Sequence, residues 1–220
     1  MTSDLPEKKS CVFCQIIIGN SFAKWEKRPS NHVSAVCFHN RLKWAKVMLL
    51  VVPVKHMTQG ELWSSTTLIE CARLAVEMGD KHCSQYGYRV IANFGRKAHQ
   101  SQIHAHLHVV SGISHQVKES TFKSHIDKSN DLVMEEYSIN GAPFTAKISS
   151  STNTNQREMW STELIHGAAL EALKLSRQRT PEGYRIMASF DPPKNSLCTG
   201  NNPSELYLIC LLYTSPSPRD

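Results

Sequence analysis

The sequence predicts an α+β fold, an antiparallel sheet with a long helix, duplicated in tandem within one chain as an intrachain pseudo-dimer. Two observations carry this expectation. Two apolar β-rich runs, a helical stretch and two more β-rich runs follow one another in the first half, an order that suits antiparallel pairing better than a parallel βαβ unit. Much of that pattern then recurs in the second half, after a polar connector.

Residues 11–18 form an apolar run closed by Gly19-Asn20, which reads as a short helix with its C-cap. Residues 33–38 read as a strand. Residues 47–52 are β-rich and apolar on both faces, as in a central strand, and Pro53 stops them. A long helix is expected over 61–86, with Ile69, Ala72 and Val76 on one face, and Gly87 releases it into a strand over 88–94. A polar loop over 96–102 leads to a last strand over 103–110.

Gln59-Gly60-Glu61-Leu62-Trp63-Ser64 returns as Gln156-Arg157-Glu158-Met159-Trp160-Ser161. Gly87-Tyr88-Arg89-Val90-Ile91-Ala92-Asn93-Phe94 returns as Gly183-Tyr184-Arg185-Ile186-Met187-Ala188-Ser189-Phe190. Between them Thr66, Leu68, Ile69, Ala72 and Leu74 meet identical residues at Thr162, Leu164, Ile165, Ala168 and Leu170. Self-similarity over a whole strand-helix-strand unit predicts a duplication: an active unit at 11–115, a linker at 116–131 and a degenerate unit at 132–212. Carrying the register from Ser101 to Ser204 sets Tyr207, Ile209 and Leu211 against His104, His106 and His108, and His56 faces Asn153. The second unit is expected to keep its strands, lose its chemistry and pack against the first as a second subunit would. Residues 213–220 resemble a translated library adapter and are set aside, which would leave the natural C-terminus outside the sequence.

Hydrophobic residues at 40% and charged residues at 20% fit an ordinary globular chain. The longest apolar run, 47–52, is too short to span a membrane, and the first residues lack the apolar stretch of a secretory signal. Seven cysteines, two of them as Cys11-Val12-Phe13-Cys14, argue for a reducing compartment, with the cytoplasm expected, and for a metal-binding or redox CxxC. The net charge of +6 favours anionic partners, but no basic block is dense enough for a specific nucleic-acid arm.

The chemistry gathers in His104-Ala105-His106-Leu107-His108. Alternation along a strand sends the three imidazoles to one face, neighbours roughly 6.5–7 Å apart, and turns Ala105, Leu107 and Val109 toward the core. A single strand histidine is usually a satisfied polar group, but three in a row suit either a zinc site or a nucleophile with imidazole helpers. Asn93, Gln100 and Ser101 lead into this run. They are compact groups suited to a sugar hydroxyl and phosphate oxygens, which a bare metal site does not need.

These residues resemble the histidine triad (HIT) superfamily over about residues 11–112. The likeness rests on His104-Ala105-His106-Leu107-His108-Val109-Val110, the opening Cys11-Val12-Phe13-Cys14, Val51-Val52-Pro53-Val54-Lys55-His56, Asn93, and Gln100-Ser101. The resemblance implies that His106 attacks the α-phosphate of a nucleotide and forms a nucleotidyl-histidine. His108 would then bond the phosphate oxygens, while Ser101 and Gln100 hold phosphate and leaving group, with Asn93 also binding substrate. It further implies a zinc ion held by Cys11, Cys14, His56 and His104, as in zinc-containing members. His99 stands where the family often has glycine, so the loop is expected to be narrowed or re-aimed. A third histidine rather than glutamine leans toward hydrolases, whereas the tandem layout resembles the transferase side. The expected activity is hydrolysis at the α-phosphate of a nucleotide, with a nucleotidyltransferase or a nucleotide-binding protein of little turnover as the alternatives. The expected state is a monomer (pseudo-dimer) or a weak homodimer.

Overall fold

The computed structural model describes residues 11–42, 44–83, 85–112, 120–129, 131–139, 142–180, 182–191 and 204–210. In chain order these form α1 (Val12–Ile17), β1 (Trp25–Lys27), β2 (Ala35–His39), β3 (Val47–Pro53), α2 (Gln59–Trp63), α3 (Thr67–His82), β4 (Tyr88–Phe94) and a 3₁₀ turn (Arg96–Ala98). There follow β5 (Leu107–Ser111), β6 (Ser120–Ser129), β7 (Leu132–Ile139), β8 (Thr145–Ser150), α4 (Gln156–Ser161), α5 (Glu163–Arg179), β9 (Tyr184–Phe190) and β10 (Glu205–Cys210). Among the described residues no helix is long and apolar enough to cross a membrane.

All ten strands join one antiparallel sheet in the order β1-β2-β3-β5-β4-β9-β10-β8-β7-β6. The order reads the same outward from the β4–β9 seam, so the two units are related by an internal two-fold, as the repeated sequence predicts. Seven residue pairs form the seam, from Tyr88 opposite Phe190 to Phe94 opposite Tyr184. Aromatic stacks close both ends: Tyr88 on Phe190 at 4.6 Å and Phe94 on Tyr184 at 4.3 Å between centroids. The bidentate ion pair of Arg157 on α4 with Asp80 on α3 ties the helical layers across the same axis.

The alternation of the strands divides the sheet into two faces. Leu49, Val51, Val90, Ala92, Ala105, Leu107 and Val109 join Trp63, Leu68 and Ala72 in one core beneath the helices, continuous with Met134, Ile148, Trp160 and Ile186 of the second unit. The opposite face of the first unit carries Val36, Phe38, Leu50 and Val52 under α1.

Three expectations are corrected. The single helix over 61–86 is two helices. Thr58 starts α2 with a reciprocal capping box to Glu61, and the Ser64 and Ser65 hydroxyls then bond back to the carbonyls of Gly60 and Leu62, competing with helix continuation. The second unit repeats this device with Asn155 and Glu158 before a break at Thr162. The stretch 116–131, expected to be a connector, contains β6, whose alternating side chains pair with β7 and close the far edge of the sheet. The strand expected over 103–110 begins only at Leu107, so His104 and His106 precede the ladder. Residues 213–220 and Leu211 lie outside the described residues.

Gly79 on α3 is read by the Tyr88 ring. A Cβ there would approach three ring atoms closer than 3.0 Å, and the ring is held by its hydroxyl, which donates to Asp80 Oδ1 at 3.0 Å. Gly79→Ala gains about 1 kcal/mol of helix propensity, but the overpacking costs roughly 1–3 kcal/mol or more. A net loss of stability in chemical denaturation is the expected outcome; a more stable variant would refute this reading of the contact.

At the β1 edge, Glu26 accepts from His39 Nε2 and His82 Nε2, both at 2.8 Å, and from Lys81 at 3.1 Å. Burial alone would raise its pKa, yet these bonds outweigh it and hold the carboxyl at about 2, against an ordinary 4.5. Because the folded value is depressed, the stabilisation is complete above about 4.5 and is lost as pH falls toward 2. Thermal melts of the parent and Glu26→Gln are expected to differ at neutral pH and to converge as the pH approaches 2.

Candidate active site

The residues before β5 are held by backbone bonds although they lie outside the ladder. Ala105 N–H donates to the Met57 carbonyl at 2.7 Å, and the Gln59 side chain donates to the His106 carbonyl at 2.7 Å. Ala105 and Leu107 anchor the run in the helix-side core, and His104 and His106 turn to the other face, where the Phe13 ring of α1 meets both edge-on at 5.9 and 5.3 Å.

His106 is 3% exposed, and its Nδ1–H donates to the carbonyl of His104 at 2.9 Å. That bond assigns the proton to Nδ1 and leaves the lone pair on Nε2. Burial lowers the pKa of His106, only partly opposed by the bond to His104, so the ring is neutral near pH 7. The His108 ring lies 4.8 Å from it, and both line a cavity of about 770 Å³ with Ser101, Asn40 and Lys24.

Behind the cavity, one ligand atom each from Cys11, Cys14, His56 and His104 lie within 4.8 Å of one another, a group that can hold a metal ion. His104 Nδ1 is 3.4 Å from Cys11 Sγ and 3.5 Å from Cys14 Sγ, and His56 Nδ1 is 3.2 Å from Cys14 Sγ. Tetrahedral zinc with bonds of about 2.0–2.3 Å separates sulfur and nitrogen ligands by about 3.5 Å, so the spacing fits. The far nitrogen settles the protonation: His104 Nε2–H donates to the Pro53 carbonyl at 3.0 Å, which leaves Nδ1 as the donor toward the cluster. Burial pushes His104 down to about 4, the neutral form a metal requires.

Residues 31–115 match the family model described as HIT domain. Over this stretch the chain is similar to the HIT domain family. Its matched span holds all three triad histidines and His56, whereas Cys11 and Cys14 precede it. Over the whole chain the fold is similar to that of an ADP-glucose phosphorylase from Arabidopsis thaliana, solved with bound ADP-glucose (TM-score 0.65, 14% identity, 99% of this chain and 84% of that one). A GalT-like protein from Arabidopsis thaliana (TM-score 0.62, 14% identity, 90% and 81%) and a uridylyltransferase (TM-score 0.56, 12% identity, 86% and 76%) share it.

Within the HIT domain, Ser101 reaches the cavity, but Gln100 braces its own loop. Its Oε1 accepts from Gly95 N–H at 2.8 Å, its Nε2 donates to the Gln102 carbonyl at 2.9 Å, and Gln102 rather than Gln100 lines the cavity. His99 takes the left-handed conformation (φ 61°) that a glycine adopts without strain. Asn93 is buried at the seam. Nothing in the sequence pointed to Phe13 as a wall of the site, nor to Asn40 and Lys24. Gln59 did carry a signal, since it recurs as Gln156.

The pairing of the second unit corrects the alignment of its lost residues. Tyr207 stands opposite Met187 and Lys147, just as His108 stands opposite Ile91 and Leu50. Gln156 donates to the Glu205 carbonyl at 2.8 Å, as Gln59 does to that of His106. Glu205 and Tyr207 therefore occupy the places of His106 and His108, and Tyr207 is not the counterpart of His104. The insertion-free register carried from Ser101 to Ser204 misses the different loop lengths between strands.

Proposed function

We propose that the HIT domain processes nucleotides by nucleophilic attack of His106 Nε2 on the α-phosphorus, and that water completes the reaction. The supporting observation is the His106 ring, buried, neutral and fixed by the His104 carbonyl with its Nε2 lone pair available beside the cavity. In the first step a bond forms from Nε2 to phosphorus, and the bond to the leaving group breaks. The leaving group departs with the electron pair and takes up a proton. In the second step a water oxygen attacks the same phosphorus, the phosphorus–nitrogen bond breaks, Nε2 regains its lone pair, and a proton passes to solvent. The nucleoside monophosphate is released. His108 and Ser101 bond the non-bridging oxygens, while Phe22 and Leu42 at the cavity mouth offer apolar surface to a base.

We assign zinc to the Cys11, Cys14, His56 and His104 group, because two thiolates and two imidazoles at tetrahedral spacing suit it. Bound there, it supplies rigidity: clamping His104 fixes the carbonyl that orients His106.

The two-unit fold shared with a phosphorylase and a uridylyltransferase favours a second reading, in which a phosphate oxygen replaces water in the second step. Incubation with adenosine phosphoramidate, a dinucleoside polyphosphate, and a sugar nucleotide with and without hexose phosphate or inorganic phosphate separates the two. Mononucleotide released without a phosphate acceptor supports hydrolysis, and acceptor-dependent product supports transfer. Binding with no product from any of them would overturn both.

A further inference from the structure

The second unit places a buried cation, Arg185, on the face where the histidines stand. On β4, Ile91 is opposite His108, and Asn93, two residues along, shares that face. Across the seam Asn93 is opposite Arg185, whose Nε–H donates to Asn93 Oδ1 at 2.9 Å. That bond settles the amide. A guanidinium has only donors and stays protonated, so Asn93 turns its oxygen to Arg185 and its NH₂ away. Asn93 is 7% exposed, and Arg185 is the side-chain partner that its Oδ1 meets. An anionic ligand that reaches this face can accept from an NH₂ presented in this way.

Arg185 itself is short of a counter-charge. Burial lowers its pKa, and no carboxylate among the described residues forms an ion pair with it. The two-fold mate of this pair is Arg89 opposite Ser189, so only one of the two seam positions retains the amide.

We propose that Arg185, contributed by the second unit, is a positioning residue of the nucleotide site: it fixes Asn93 as a hydrogen-bond donor to an anionic phosphoryl group and makes the site prefer a nucleotide over the uncharged nucleoside. The inference rests on the nucleotide reading of the HIT domain. It also means that the second unit, which has no histidine at the triad positions, still takes part in the chemistry of the first.

The test is binding of adenosine monophosphate and of adenosine to the full chain by calorimetry, with Arg185→Met, Arg185→Lys, Asn93→Ala and the double variant Arg185→Met/Asn93→Ala. Arg185→Met is expected to weaken monophosphate binding about tenfold and to leave adenosine unchanged, with Arg185→Lys recovering part of the loss. The double variant is expected to lose no more than the larger single loss, because the arginine acts through Asn93. Unchanged monophosphate binding in Arg185→Met, parallel losses for both ligands, or additive losses in the double variant would each overturn the proposal. If Arg185→Met does not fold, Arg185→Lys and Asn93→Ala carry the comparison: a monophosphate-selective loss in both supports the proposal, and its absence overturns it. A parent that binds neither ligand overturns the nucleotide reading as well, whereas a parent that binds the monophosphate while the variants match it removes only the role of Arg185.

Discussion

His106→Ala is expected to lower turnover of any substrate the chain accepts by at least about 10³-fold. The reason is that the proposed step has one attacking atom. His104 cannot substitute, since its Nε2–H is committed to Pro53 and its Nδ1 faces the cysteine pair. His108 stands beside His106 rather than in its place. Loss of the ring also leaves a gap beside Phe13, and a stability loss of roughly 1–3 kcal/mol accompanies it. The fold should survive that, so melting curves recorded with the kinetics separate the two effects. His106→Gly offers a sharper version, in which free imidazole is expected to restore part of the turnover by occupying the vacated space. Full turnover by folded His106→Ala would remove His106 as the nucleophile.

The second large effect is expected from Cys14→Ser. Cys14 Sγ is the atom near both histidines, at 3.2 Å from His56 and 3.5 Å from His104, so its loss breaks the cluster at its centre. Elemental analysis is expected to find about one zinc per parent chain and little in the variant. Loss of the metal clip between α1 and the triad segment is expected to cost several kcal/mol, and at about 2–4 °C per kcal/mol for a chain of this size the melting temperature should fall by about 10 °C or more. Turnover should fall too, because the carbonyl of His104 holds the Nδ1–H of His106. Stoichiometric zinc retained in Cys14→Ser would sink the assignment of the ligands.

Much of the fold was legible because its signals are periodic and local. Alternation predicted that Ala105, Leu107 and Val109 face the core, and the repeated Gly-Tyr-Arg run marked what became the two seam strands. The four metal-site residues were named by resemblance, and the structure brings them together. What could not be read were features set by partners distant in sequence. The break between α2 and α3 depends on hydroxyls choosing backbone acceptors, and β6 exists because β7 offers it an edge. Phe13 became a wall of the cavity only when α1 packed on the sheet. The counterparts of His106 and His108 could be recognised as Glu205 and Tyr207 only from strand pairing, since loops of unequal length hide the register.

The β4–β9 seam has a consequence for how such a site can diversify. In an assembly of identical subunits, residues across a two-fold meet their own copies, and each substitution is made on both sides at once. One continuous chain is released from that symmetry. Lys147 bridges Glu135 and Glu205 where the first unit has an apolar strand and a histidine, and Arg185 faces an amide where Arg89 faces a serine. One side of the molecule can thus be tuned as a platform while the other keeps its reacting groups, an asymmetry that identical partners cannot reach.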